Sequence, residues 1–196
     1  MEGLYVVGGV LLLALLVVVG MYNSLIKIRN QCREAWSGIE TELQRRYDLI
    51  PNLVETVKGY ARHERQVLEE VTQLRNVCSL NHGSPEQQAK SENSLVRSLG
   101  RLLAVVENYP ELKADRHFLD LQEELVITED RIQAARRFYN GNVREMNVKV
   151  ESFPSNLLAS AFGFEREEFF AIEDLSVAQP PNLDLQSLQG QQQQQQ

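Results

Sequence analysis

The sequence predicts an all-α protein, with an N-terminal transmembrane helix continuing into a bundle of long antiparallel helices and a disordered C-terminal tail. Three observations predict it. An unbroken apolar run opens the 196-residue chain. Apolar residues then recur at spacings of three and four, and no segment alternates with the period of two that marks a strand. The chain closes on "AQPPNLDLQSLQGQQQQQQ", a low-complexity stretch too polar to bury a core. Residues 1–26 are read as an extracytoplasmic N-terminus and a single transmembrane helix. Residues 27–176 are read as a cytoplasmic helical bundle, and 177–196 as the disordered Gln-rich tail.

Nothing is charged between Glu2 and Lys27. The apolar run, with Leu4, Tyr5, Leu12, Leu16 and Tyr22 as its markers, is long enough to span; about 20 such residues cross a ~30 Å hydrocarbon core. Tyr5 and Tyr22 stand at its ends, where amphipathic rings prefer to sit. A cleaved signal peptide would have a basic start and a small-residue cleavage site. The start here holds Glu2 and no Lys or Arg, and "VVVGMYNS" is a poor cleavage site. Lys27, Arg29 and Arg33 follow the span, so the positive-inside rule places the following chain in the cytoplasm and the N-terminus outside.

No glycine or proline separates Asn23 from Ser37. The membrane helix is therefore expected to run straight into the first cytoplasmic helix, to about Leu49, a length of roughly 70 Å at 1.5 Å per residue. A stripe from Ile39 through Tyr47, Ile50, Val57 and Ala61 to Leu74 extends that region. "SLNHGSP" is a polar turn, after which Ser84 and Pro85 open a helix carrying Leu95, Leu99, Leu102 and Val106. "NYPEL" breaks it. From Phe118 a heptad seam passes through Leu125, Thr128, Ile132, Tyr139, Asn142 and Met146 to Phe153, the coiled-coil pattern of helices packed at a shallow angle. Pro154 enters a last short helix, and Gly163 is its expected stop.

The chemistry of sites is sparse. A net charge of −7 and a pI near 5.1 argue against nucleic-acid binding, which needs a basic stripe. Cys32 and Cys78 lie outside any CxxC and read as small core thiols. His63, His82 and His117 each lack a glutamate three residues earlier, so the di-iron bundle pattern fails. His63-Glu64 is half of a zinc motif, but Val67 stands where its second histidine belongs. No catalytic residues, metal ligands or cofactor are predicted.

The stretch "RRYDLIPNLVETVKGYARHE" places a proline inside an apparent helix. Pro51 removes one hydrogen bond and frees a carbonyl near Tyr47. A kink or short break is expected, with Arg45, Arg46, Asp48 and Asn52 forming a polar network around Pro51, in which Asp48 pairs with the arginines or caps the helix restarting at Pro51. The competing reading is a ligand pocket near Asp48, Asn52, His63 and Glu64.

The motifs "YNSLIKIRN", "AWSGIETELQRRYDLIPNLVETVKGYARHE", "LGRLLAVVENYPELKAD", "LQEELVITEDRIQAARRFYN" and "FPSNLLASAFGF", in that order, resemble the bacterial LemA family. The resemblance covers most of residues 22–164. It implies a single-pass protein of the bacterial cytoplasmic (inner) membrane with long cytoplasmic helices, no established enzymatic activity and no catalytic residues. With the small residues Gly8, Gly9 and Ala14 in the span, the reading is a non-enzymatic scaffold or adaptor. Its partners would be the lipid bilayer, further copies of itself and a membrane protein. Phe162, Phe164, Phe169 and Phe170 are the candidate contact surface. The alternative is a ligand- or metal-sensing regulatory subunit of a membrane enzyme such as a protease.

Overall fold

The computed structural model describes residues 1–172. They form α1 (Glu2–Tyr60), α2 (Arg65–Leu80), α3 (Pro85–Val106), α4 (Pro110–Lys113), α5 (Arg116–Glu151) and α6 (Ser155–Ala161), with no strand among the described residues. The glutamine-rich tail expected from residue 177 lies outside them.

The first helix is unbroken over 59 residues, roughly 88 Å at 1.5 Å per residue. Side chains 5–20 are exposed, Met21 and Tyr22 are half-buried, and Leu25 is fully buried. From Leu25 a seam runs through Ile28, Cys32, Ala35, Ile39, Leu43, Arg46, Ile50 and Leu53 to Val57, all buried. Its spacing of three and four keeps one face on the bundle.

The expected break at Pro51 is not where the chain turns: α1 runs through it. The reversal comes at residues 61–64, where Ala61 ends the helix and Glu64 N donates to Ala61 O at 3.1 Å. From Arg62 to Gln66 every residue is polar or charged. No apolar face is left to bury through another turn, and the helix stops.

Helix α1 packs most extensively on α5, and α2 on α3. The α1–α5 pair is antiparallel and keeps one register along its length. Lys149 Nζ donates to Ser24 Oγ at 2.9 Å, Asn142 Nδ2 to Gln31 O at 3.2 Å, and Tyr60 O–H to Asp115 Oδ2 at 3.0 Å. Asp115 caps α5 by accepting from Phe118 N at 3.0 Å. That bond and the one from Tyr60 hold its carboxyl below its ordinary pKa. The predicted heptad face of α5 is buried at Phe118, Leu125, Thr128, Ile132, Tyr139 and Met146 and half-buried at Asn142, whereas its last member, Phe153, is 80% exposed. Of its polar members, Asn142 ties the two helices, while Thr128 Oγ1 turns back to Glu124 O of its own helix.

Gly163, at φ 67°, turns the chain out of α6 in a conformation that only glycine adopts freely. Residues 164–172 then return as an extended strap along α5. Asn147 donates to Glu167 O at 3.0 Å and accepts from Glu167 N at 2.8 Å. Asn140 makes the same pair with Phe170, at 3.0 and 2.9 Å. Seven helical residues rise about 10.5 Å and three extended ones about 10 Å. Asparagines one heptad apart therefore meet every third residue of the strap. Tyr139 O–H donates to Glu168 O at 2.9 Å, Arg136 Nη1 to Ile172 O, and Asn93 Nδ2 to Ala171 O at 3.1 Å. Phe164, Phe170 and Ile172 turn into the core.

These clasps give a prediction. Asn147→Ala removes two hydrogen bonds worth about 1 kcal/mol each, so unfolding of the detergent-solubilised protein in urea should lose about 2 kcal/mol. Asn147→Asp keeps the acceptor but not the donor, and should not rescue that loss.

Candidate functional site

Two places on the structure concentrate the chemistry that the sequence marks: the middle of the bundle at Arg46, and the end of the bundle where α1 leaves it.

Arg46 lies on the buried seam of α1 and is 0% exposed. Its Nη1 donates to both oxygens of Glu129 on α5, at 2.9 and 3.2 Å, and its Nη2 pairs with Glu92 Oε2 on α3. The adjacent Tyr47 donates its hydroxyl to the other oxygen of Glu92. Glu92 is 1% and Glu129 6% exposed. Burial pulls against the charge on Arg46, but Glu129 and Glu92 together raise its pKa above the ordinary value. Burial first, and Glu92 next, push the Tyr47 phenol well up, so it remains a donor. Cys78 beside this cluster is pushed up to about 12 by burial and by Glu92, and Cys32 to about 11 by burial and by Glu167. Both are inert thiols near neutral pH.

Pro51 is tied into the bundle in a different way from that expected. Its missing N–H leaves Tyr47 O without its helical donor, and Arg75 of α2 supplies one, Nε to O at 3.0 Å. The helix break that proline usually causes is thereby replaced by a bond between helices.

The rest of the expected polar network does not assemble. Asp48 is exposed and accepts from Gln44 at 2.8 Å. Arg45 is exposed and faces Glu42 at 3.8 Å, and Asn52 is exposed. Asp48 cannot reach Arg46, because residues two apart point to different sides of a helix. His63 is exposed in the 61–64 turn, and Glu64 accepts from Tyr109 O–H at 3.4 Å. The nearby groove between α1 and α2 is lined by Val54, Lys58, Arg62, Arg65 and Leu68 among others, not by Asp48, Asn52, His63 or Glu64. Among the described residues, no three His, Cys, Asp or Glu side chains group as a metal site would.

At the end of the bundle, Tyr22 meets Phe162 edge-on at 4.9 Å and Phe164 at 5.9 Å. Arg29 lies 4.8 Å over the Phe164 ring, a cation–π arrangement. Lys27 and Arg33 are exposed just beyond. The four phenylalanines expected to form one contact surface divide. Phe164 and Phe170 are 5% and 0% exposed and belong to the core, Phe170 edge-on to Trp36 at 5.3 Å. Phe162 and Phe169 remain 57% and 43% exposed. Helix α6 lies beside the bare part of α1, forming an apolar groove of 460 Å³ with it.

The missed partner Glu92 carried a signal. It falls on the spacing Gln88, Glu92, Leu95, Leu99, Leu102, as the predicted network member Arg46 falls on Ile39, Leu43, Arg46, Ile50, Leu53. A charge in phase with a buried stripe must find its counter-charge inside.

This geometry defines a class: an all-helical protein whose longest helix is bare and apolar at one end, with a candidate membrane segment there, and packed as the spine of a bundle at the other. The sequence pattern of the LemA family matches residues 35–185, and the chain belongs to that family. It is 29% identical over 162 residues to protein LemA of Metamycoplasma hominis, covering 81% of this chain and 73% of that one. It is 28% identical over 174 residues to magnetosome protein MamQ 2 of Paramagnetospirillum magneticum and 26% to magnetosome protein MamQ of Magnetospirillum gryphiswaldense. Each of those matches covers 76% of this chain and 64% of the relative, so the chain spans less than two thirds of their length.

Two predictions follow from the buried charges. Arg46→Met leaves two carboxylates buried without a counter-charge and should cost about 3–5 kcal/mol, or prevent folding, as read by urea denaturation. Adding Glu92→Gln and Glu129→Gln to Arg46→Met should recover most of that loss, because only hydrogen-bonding groups then remain inside. For Pro51, Arg75→Leu should destabilise the wild-type background. It should matter less with Pro51→Ala, where the new N–H takes Tyr47 O; a double-mutant cycle reads the difference.

Proposed function

We propose that the chain is a non-enzymatic scaffold or adaptor anchored in the bacterial cytoplasmic membrane. Its N-terminus would lie outside and residues 27–176 in the cytoplasm. The observation that carries this reading is the continuity of α1, whose exposed apolar third and buried bundle seam share one helix without a hinge. A flexible tether would hold a soluble domain near a bilayer equally well. A stiff one sets its height and tilt, which matters when the bundle must meet neighbours in a given orientation. The relatives named as magnetosome proteins support a role at an organised membrane.

Self-association belongs to this reading. Copies confined to one plane and pointing the same way have a raised effective concentration, so weak lateral contacts suffice. Head-to-side contacts need not close as dimers and can form rings or open arrays. The small residues Gly8, Gly9 and Ala14 allow close approach of neighbouring spans. Of the group's exposed members, Phe162 and Phe169, Phe169 on the strap is the surface contact between copies in this reading.

Mass measurement in mild detergent tests it. The full chain should be oligomeric, and removal of residues 1–22 should shift it towards monomer. A monomeric full chain with no cross-links in membranes would remove the scaffold and leave an adaptor acting singly. For the topology, Gly3→Cys should react with an impermeant thiol reagent on intact cells, and a cysteine replacing the exposed Val77 should not.

A further inference from the structure

We propose that the segment Phe153–Phe162, with α6 at its centre, is a second membrane contact, with lipid acyl chains as the occupant of its apolar face. This rests on the reading of α1 as a membrane span. The segment is unusual for a bundle surface. From Ser152 to Phe164 no residue is charged. Phe153 is 80%, Leu157 62% and Phe162 57% exposed, while Ala159 is the side of α6 buried on the bundle.

Its position decides the occupant. The 460 Å³ groove is walled on one side by Pro154, Leu157 and Leu158, and on the other by span residues from Val10 to Met21. The walls on α1 are in hydrocarbon if α1 spans, and the groove is continuous with that surface. Tyr22, an interfacial ring at the end of the span, touches Phe162. Val10, which shares the groove, lies about 18 Å further along α1. Leu157 thus faces the depth of acyl chains rather than the aqueous side.

Insertion leaves the backbone largely paired. Phe162 N donates to Leu158 O at 3.0 Å and Phe164 N to Ala159 O at 2.9 Å, so the turn closing α6 brings few free amides into lipid. Charges stand where headgroups would meet them. Lys149 is held at Ser24, Arg29 over Phe164, and Lys27 is exposed two turns from the groove. Basic side chains beside an apolar face are the pattern of an interfacial helix.

The test uses the full chain with single cysteines replacing Leu13, Phe153, Leu157 or Phe138, each carrying an environment-sensitive fluorophore. The native Cys32 and Cys78 are buried and do not compete for label. The proteins are placed in vesicles of phosphatidylcholine and phosphatidylglycerol whose acyl chains are brominated or plain. The Leu13 probe reports the span itself, and the probe at Phe138, exposed on α5, reports the aqueous bundle. Emission at Phe153→Cys or Leu157→Cys should be lost to bromine to the same extent as at Leu13→Cys, with Phe138→Cys unaffected. Quenching at Leu13→Cys but at neither α6 position overturns the inference and leaves the anchor standing. Unlabelled Leu157→Cys copies that cross-link to each other, where the labelled protein shows no quenching at that position, overturn it in favour of a second copy of the chain. Absence of quenching at Leu13→Cys overturns the spanning reading and this inference with it.

Discussion

Arg46 sets the arrangement on which the other contacts depend. A guanidinium and two carboxylates taken out of water lose several kcal/mol of hydration each, which their attraction repays only in good geometry. Such a cluster adds little to stability over apolar packing, but it tolerates one arrangement. Sliding α5 by a turn, about 5.4 Å, would place Glu129 against aliphatic side chains and leave Arg46 with one partner. The cluster therefore selects a register for α1 against both α3 and α5. Lys149 at Ser24, Asn142 at Gln31 and Tyr60 at Asp115 are all consequences of that register, at distances along the helices that no local signal could fix.

The register is then passed to the strap. Asn140 and Asn147 hold it by both backbone groups of Phe170 and Glu167, as a neighbouring strand would, though the partner is a helix. Glu168 meets the start of α3, accepting from Glu86 N at 3.2 Å. The Ser84 side chain first, and that bond from Glu86 N next, hold its carboxyl below the ordinary pKa. A chain segment without secondary structure of its own thus closes the side of the bundle, and its Phe170 completes the core beside Trp36.

Much of this was legible because it is local. The apolar opening, the three-and-four seams, Ser84-Pro85 before α3, Pro154 before α6 and Gly163 after it are each set by a few adjacent residues. What escaped was non-local. Arg46 stands out in the sequence, but its partners lie 46 and 83 residues away, and Asp48 is nearer along the chain. Proline signalled a break at Pro51 because sequence cannot display Arg75 waiting on another helix. The turn at 61–64 carries no proline and only Gly59 ahead of it, and its cause is the loss of an apolar face rather than a breaker. The phenylalanines were read as one group by proximity in sequence. An extended strap sends alternate side chains to opposite sides, so Phe169 and Phe170 had to part.

The strap also bears on how the bundle meets a bilayer. A single stiff helix spanning a bilayer, as proposed for α1, would set height and tilt but could still rotate about its own axis. The stiffness of α1 passes height to the bundle but does not fix which side of the bundle faces the membrane surface. The proposed second contact beside the span would remove that freedom. The Arg46 register holds α5 against α1, α5 delivers Phe153 and Pro154 to the end of the bundle where the apolar part of α1 leaves it, and the strap clasped by Asn147 returns from α6 to hold it there. In the proposed scaffold, the same chain of contacts that organises the core would determine which face is left for neighbouring copies.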